Sequence, residues 1–280
     1  MAYNTITLDI DARGVTYLNL NRPDKHHALN AEMIAELHTA IDYLRDTPQA
    51  HLVVIGADGP HFCAGGDLRW MQAQMAADTP TKKREASKLS AMLGALDSLP
   101  KPVIGRIQGN AYGGGLGLMC ACDITVAADT ARFALTETRL GLIPATIGPF
   151  VFRKLGWGHT REIFMTGSPV DSKRALQIGL LSLAVAASEL DSVIDREIET
   201  ALRAGPGAMA AAKALLGQFS QHPDLQEQND IAIEALIECW NSTETKQGIE
   251  AFFDKQPAPC LLYTSPSPRD LSTSRMPSSA

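Results

Sequence analysis

The sequence predicts an α/β fold in which helices cover the faces of a sheet, followed by an all-helical C-terminal stretch. Three observations predict it. Short β-prone apolar runs alternate with segments whose apolar residues recur at helical spacings. Two glycine-rich turns, Cys63-Ala-Gly-Gly-Asp67 and Asn110-Ala-Tyr-Gly-Gly-Gly-Leu-Gly117, each leave a β-like stretch and enter a helix-like one. From about Leu190 the β signals disappear while helical ones continue.

Taken in order, Thr5 to Ile10 alternates polar and apolar, and Gly14 introduces Val15 to Leu20, which reads as a hairpin. Arg22-Pro-Asp-Lys-His-His is a loop, because Pro23 breaks structure and the charges want water. Asn30 can cap a helix with Ile34, Leu37, Ile41 and Leu44 on one face, which Pro48 stops. Leu52 to Ile55 is a short buried strand and Gly56 to Pro60 a turn. Leu68 to Met75 and Arg84 to Leu96 read as helices, Val103 to Ile107 as a strand, and a short helix precedes the strand Ile124 to Ala127. The order is therefore β-β-α, β-α, β-α. Helical segments follow at Val193–Leu202, Ala208–Phe219, Asp230–Cys239 and Thr245–Phe253, an appendage of the kind that builds subunit contacts. No internal repeat of fixed period is present.

The chain has 280 residues, 45% hydrophobic and 20% charged, which is the make-up of a soluble globular protein with one large domain or one plus a small appendage. A net charge of −6 provides no basic field for phosphate and argues against nonspecific DNA or RNA binding. The five cysteines, Cys63, Cys120, Cys122, Cys239 and Cys260, lie in apolar surroundings and lack the spacing of a zinc site. They read as buried free thiols in a reducing compartment. The N-terminus lacks the pattern of a secretory signal, and no apolar run is long enough to span a bilayer, so a cytoplasmic location is expected. Residues 259–280 read as a disordered or non-native tail. Leu261 to Ala280 is rich in serine and proline, and Leu-Leu-Tyr-Thr-Ser-Pro-Ser-Pro-Arg-Asp resembles translated sequencing-adapter DNA.

Both glycine turns leave backbone N–H groups unpaired where a helix starts, and a pair of such donors can hold one oxygen that becomes negative during a reaction. Taken singly, each is better explained as a tight turn, and only their pairing with a third segment favours a functional reading. Neither is a nucleotide loop, since G-x-G-x-x-G order and a Walker sequence are both missing. A third segment, Phe133-Ala-Leu-Thr-Glu-Thr-Arg-Leu-Gly-Leu-Ile-Pro144, places Glu137 among apolar neighbours, where a raised pKa would suit acid or base work. The competing reading is a surface glutamate paired with Arg139 or Arg132. Trp70 and Met71 read as packing residues. The basic loop Arg22, Lys25, His26, His27 could contact an anionic ligand or be solvated.

Together these segments resemble the enoyl-CoA hydratase/isomerase (crotonase) superfamily. The resemblance is carried by Leu20-Asn-Arg-Pro-Asp-Lys-His-His-Ala-Leu-Asn30, Phe62-Cys-Ala-Gly-Gly-Asp-Leu68, Gly109-Asn-Ala-Tyr-Gly-Gly-Gly-Leu-Gly-Leu118, Ala121-Cys-Asp-Ile124 and Glu137-Thr-Arg-Leu-Gly-Leu-Ile-Pro144. It implies a crotonase-like spiral of ββα units over residues 1–190, a helical oligomerisation region over 191–258, and a homotrimer or dimer of trimers. It also implies an acyl-CoA substrate, with no cofactor beyond the CoA carried by that substrate, no metal, and no nucleic-acid or membrane partner. By resemblance, the N–H groups of Gly66 and Gly114 form the oxyanion hole and Glu137 is the acid/base. Lys25, His26, Ala28, Ala64, Asp67, Leu68, Gly113, Gly117 and Arg139 fall in the substrate-binding segments.

One departure matters. Hydratases of the superfamily carry two glutamates, and the first would stand where this chain has Gly117. The segment continuing through Ala-Thr-Ile-Gly-Pro-Phe150 resembles hydratases of branched glutaconyl-CoA esters (the methylglutaconyl and isohexenylglutaconyl types). That implies hydration of a 2-enoyl-CoA whose far end bears a carboxylate, which could hold the water itself or pair with a cation, Arg139 being a candidate only if it points inward. The alternatives are a Δ3,Δ2-enoyl-CoA isomerase, which needs only one carboxylate, and a catalytically silent member binding acyl-CoA or RNA.

Overall fold

The computed structural model describes residues 2–256 and 258–259; of the expected tail, everything from Cys260 onward lies outside the described residues. The hairpin forms as β1 (Ile6–Ile10) and β2 (Val15–Leu20), antiparallel, with Ile6 opposite Leu20. Asn30 caps α1 (Ala31–Arg45), its side chain accepting from the Met33 N–H, and the face Ile34, Leu37, Ile41, Leu44 is buried.

Three ββα-type units then follow. β3 (Leu52–Ala57) and β4 (His61–Cys63) lead into α2 (Leu68–Ala76) and α3 (Thr79–Asp97). β5 (Val103–Ile107) and β6 (Asn110–Tyr112) lead into α4 (Gly114–Cys120). β7 (Ile124–Ala128) and β8 (Arg132–Ala134) lead through a 3-10 turn, Thr136–Leu140, into α5 (Gly148–Thr166). The first strand of each unit joins one sheet and the second joins another. With β9 (Val170–Asp171) and β10 (Leu183–Val185), which flank α6 (Ser172–Gln177), the sheets have the orders β1-β2-β3-β5-β7-β10 and β4-β6-β8-β9. The chain therefore climbs through two sheets at once, and each crossing from the second sheet into a helix is a place where backbone donors come free.

Alternation along β3 divides the core. Val53 and Ile55 face the side packed by α1 and α3, while Leu52 and Val54 face α7 (Leu190–Leu202), whose Val193, Ile194, Ile198 and Leu202 are buried against them. α7 is thus a layer of the core, which differs from a helical region beginning at 191. The helices that stand apart are α8 (Pro206–Phe219), α9 (Leu225–Asn241) and α10 (Thr243–Phe253), in which Ala251 is the one buried residue. Lys213 on α8 ties them down, donating to Asp123 Oδ2 at 2.7 Å and to the Lys101 carbonyl at 3.2 Å.

Cys63, Cys120 and Cys122 are buried free thiols, and burial pushes each up to about 12, so none is poised to act as a nucleophile. No helix among the described residues is long and apolar enough to cross a membrane.

Candidate active site

The two glycine turns touch. A Cβ built on Gly113 would lie 3.6 Å from Gly65 Cα and 2.9 Å from Glu137 Oε1. Gly113, with φ 46° and ψ −117°, has a backbone that only glycine adopts without strain, and it lets the chain turn from β6 into α4. Gly65, with φ 92°, does the same before α2. Neither the Gly66 N–H nor the Gly114 N–H donates to a backbone acceptor among the described residues, and both glycines line one cavity of about 310 Å³.

Leu29 sets the spacing of these turns. Its N–H donates to the Gly65 carbonyl at 2.7 Å and its carbonyl accepts from the Asp67 N–H at 2.8 Å, so the segment after the basic loop pairs alongside the first turn. Its side chain lies under the second turn, 2.7 Å from where a Gly114 Cβ would be. In the sequence, only its place before the capping Asn30 marks Leu29. Asp67 holds the next position. It caps α2, accepting from Arg69 N–H at 3.0 Å and Trp70 N–H at 3.3 Å, and pairs with Arg22 Nη2 at 3.0 Å. Burial alone would raise its pKa, but the Arg22 hydrogen bond and the two backbone donors outweigh this and hold the carboxyl below its ordinary value. Asp67→Ala removes the cap and leaves the half-buried Arg22 guanidinium with the Ala28 carbonyl but no counter-charge. A loss of about 1–3 kcal/mol is expected in urea unfolding, together with reduced turnover because Gly66 loses its anchor. A wild-type midpoint would show that the turn is held by Leu29 alone.

Glu137 projects from the 3-10 turn into the same cavity. It makes no salt bridge among the described residues, so pairing with Arg139 or Arg132 does not occur, and its Oε2 is buried without a hydrogen-bond partner. Desolvation raises its pKa, and a hydrogen bond from its own N–H only partly opposes this. Leu68, Ala64 and Gly113 line the cavity, as do Trp70 and Met71, which therefore do more than pack.

The other expected binding residues fall outside this lining. Lys25 and His26 are exposed on the flanking loop, whose His26 carbonyl accepts from Ala64 N–H at 3.0 Å, and Ala28 is buried. His27 is buried and fully committed: Nδ1 accepts from Arg22 N–H at 3.1 Å, which leaves Nε2 to donate to the Asp58 carbonyl at 2.8 Å. Arg139 is exposed and directs Nη2 toward Ser168 Oγ at 3.4 Å, away from the cavity, so it is not placed to meet a carboxylate there. Gly117 is sealed inside α4. A Cβ on it would meet Ile147 Cγ2 at 2.6 Å and Leu93 Cδ1 at 3.1 Å, and Ile147, not a carboxylate, forms that stretch of cavity wall. No group of three or more His, Cys, Asp or Glu side chains that could hold a metal ion is found among the described residues.

Residues 11–260 match the enoyl-CoA hydratase/isomerase family, and the chain belongs to it. It is 32% identical to the human mitochondrial methylglutaconyl-CoA hydratase over 260 residues, covering 89% of this chain and 74% of that one. It is 29% identical to the trans-2-decenoyl-(acyl-carrier-protein) isomerase of Streptococcus mutans, covering 91% and 97%. The crystal structure of an enoyl-CoA hydratase from Shewanella pealeana superimposes with a TM-score of 0.88 at 32% identity, covering 91% of this chain and 96% of that one. The two interleaved sheets with C-terminal helices are thus the crotonase fold.

Proposed function

We propose that the protein hydrates the 2,3 double bond of a branched glutaconyl-CoA, with Gly66 and Gly114 as the oxyanion hole and Glu137 as the single acid/base. The observation that carries this is the contact of the two glycine turns beside a carboxyl whose Oε2 is buried without a partner, in one apolar cavity. Glu137 takes a proton from water as the water oxygen bonds to Cβ. The π pair moves through Cα to the thioester oxygen, where the two N–H groups hold the enolate; each donor is worth about 3–4 kcal/mol of barrier. Glu137 then returns its proton to Cα, so that one water is added and the carboxylate is regenerated.

The exposed loop at Lys25 and His26, with Ala28 and Ala64 behind it, takes the CoA moiety. The exposed apolar side chains Leu216, Leu225, Ile233, Trp240, Phe252 and Phe253 on α8–α10 are assigned to contacts between copies in a trimer or dimer of trimers. The location is assigned to the cytoplasm. The human relative's name supports the branched glutaconyl substrate. Incubation with methylglutaconyl-CoA should give a product heavier by one water.

A second reading has its own support. Ile147 fills the space beside Gly117, and a site with one carboxylate suffices to move a proton between Cα and Cγ, as an isomerase does. A 3-enoyl-CoA converted at unchanged mass, with no water gained by any 2-enoyl-CoA, would establish that reading and overturn hydration.

A further inference from the structure

The cavity that holds Glu137 carries two more buried polar atoms with no partner among the described residues, Trp70 Nε1 and Gln74 Oε1. Both come from α2, four residues apart and therefore on one face. An indole N–H is a donor only, and an amide can turn to offer either its oxygen or its NH2. Unpaired groups of this kind in an apolar enclosure cost free energy unless a ligand completes them. The surrounding wall is mostly apolar, including Leu68, Leu89 and Leu142, with Thr136 and Thr146 as its hydroxyls. Lys82, in the first turn of α3, lines the same cavity, is exposed at its mouth and forms no salt bridge among the described residues.

The placement of these groups is directional. α2 starts from the first glycine turn and rises about 1.5 Å per residue, so Trp70 stands about one turn and Gln74 about two turns beyond Gly66. The Trp70 ring begins close to the oxyanion glycine, with Cζ3 3.9 Å from where a Gly66 Cβ would be. Gln74 therefore lies farther along α2 from the oxyanion glycine than Trp70 does, and Lys82 meets the same cavity from α3. The Glu137 carboxyl lies against Gly113, on the other turn.

We propose that Trp70, Gln74 and Lys82 form a distal subsite that binds the far carboxylate of a dicarboxylic acyl chain. The indole N–H and the amide NH2 donate to the carboxylate oxygens, and the ammonium supplies the compensating charge. This assigns to α2 and α3 the anchoring that Arg139, turned toward Ser168, does not provide. It rests on the cavity being an acyl-CoA site and names the end of the acyl chain that the site selects.

The test is calorimetric titration with two saturated, unreactive esters, glutaryl-CoA and hexanoyl-CoA. The readout is the ratio of their affinities. Wild type should prefer glutaryl-CoA by about tenfold or more, the range expected of buried hydrogen bonds to a charged group. Gln74→Leu and Lys82→Met should each bring the ratio down several-fold toward one. Lys82 is exposed, so its variant reports even if the Gln74 substitution perturbs the helix. A wild-type ratio near one, or a preference untouched in both variants, overturns the distal subsite while leaving the acyl-CoA site in place. Failure of both esters to bind wild type overturns the acyl-CoA site itself, and the subsite with it.

Discussion

Glu137→Gln should lower kcat by about 10²–10⁴-fold while acyl-CoA affinity, measured by calorimetry, stays within a few-fold of wild type. The amide keeps the shape of the side chain but cannot shuttle a proton. The same substitution should raise stability near neutral pH. Glu137 has a raised folded pKa because burial disfavours its charged form. Its contribution to stability is fully present below the ordinary carboxylate pKa and is lost as pH rises through the raised folded value. Above that window the wild type carries a desolvated carboxylate and the glutamine variant does not. The two melting temperatures should therefore separate as pH rises from about 4, with the variant higher, and the gap should then stay constant. Turnover should show the opposite limb: kcat/KM of wild type rises through the raised pKa as the base form appears. Near-normal turnover by Glu137→Gln would remove Glu137 from the mechanism. An unchanged stability gap across the window would mean that the carboxyl is not desolvated in solution.

How much of this was legible in the sequence depends on which residues carry the information. The turns at Gly65-Gly66 and Gly113-Gly114 could be read because sharp strand-to-helix reversals restrict composition, and Gly113 in fact occupies a backbone region closed to side chains. The α1 helix was legible from Asn30 and its apolar face. The second sheet was not. β4, β6 and β8 have three residues each, too short for alternation to register, and they pair with strands distant in sequence. α5 stayed hidden because Gly148, Pro149, Gly156 and Gly158 suppress its helical signal, and it does kink at Gly156. α3 starts five residues before the expected Arg84, where Asp78 caps it and Pro80 occupies its first turn. Within the site, Glu137 was visible from its apolar neighbours, but Gln74 and Lys82 look like ordinary polar residues until α2 and α3 are folded over the cavity. Arg139 shows the converse: its charge and its nearness to Glu137 in sequence suggested a role that the 3-10 turn, by facing it outward, denies it.

The departure at Gly117 is built into the packing, and restoring the glutamate there should fail. In Gly117→Glu the first side-chain carbon already overlaps Ile147 Cγ2 at 2.6 Å and crowds Leu93 Cδ1 at 3.1 Å, and both neighbours are essentially fully buried. Overpacking costs about 1–3 kcal/mol, and an unpaired carboxylate among Ile and Leu adds several more. Against a total stability of about 5–15 kcal/mol, most of the margin is gone, so the variant should be largely insoluble or melt far below wild type. Ile147→Ala alone should cost about 2–5 kcal/mol through the cavity it leaves. If Ile147 is what excludes the carboxylate, the double variant should be more stable than the two single losses predict, by about 0.5–3 kcal/mol of coupling. In the double variant a second carboxylate would face the cavity of Glu137, and the like charge should raise the Glu137 pKa further, moving the acid limb of kcat/KM upward. A Gly117→Glu protein with wild-type stability would mean that α4 and the loop before α5 can part. The single-carboxylate chemistry would then rest on the residue at 117 alone and not on the wall that Ile147 builds against it.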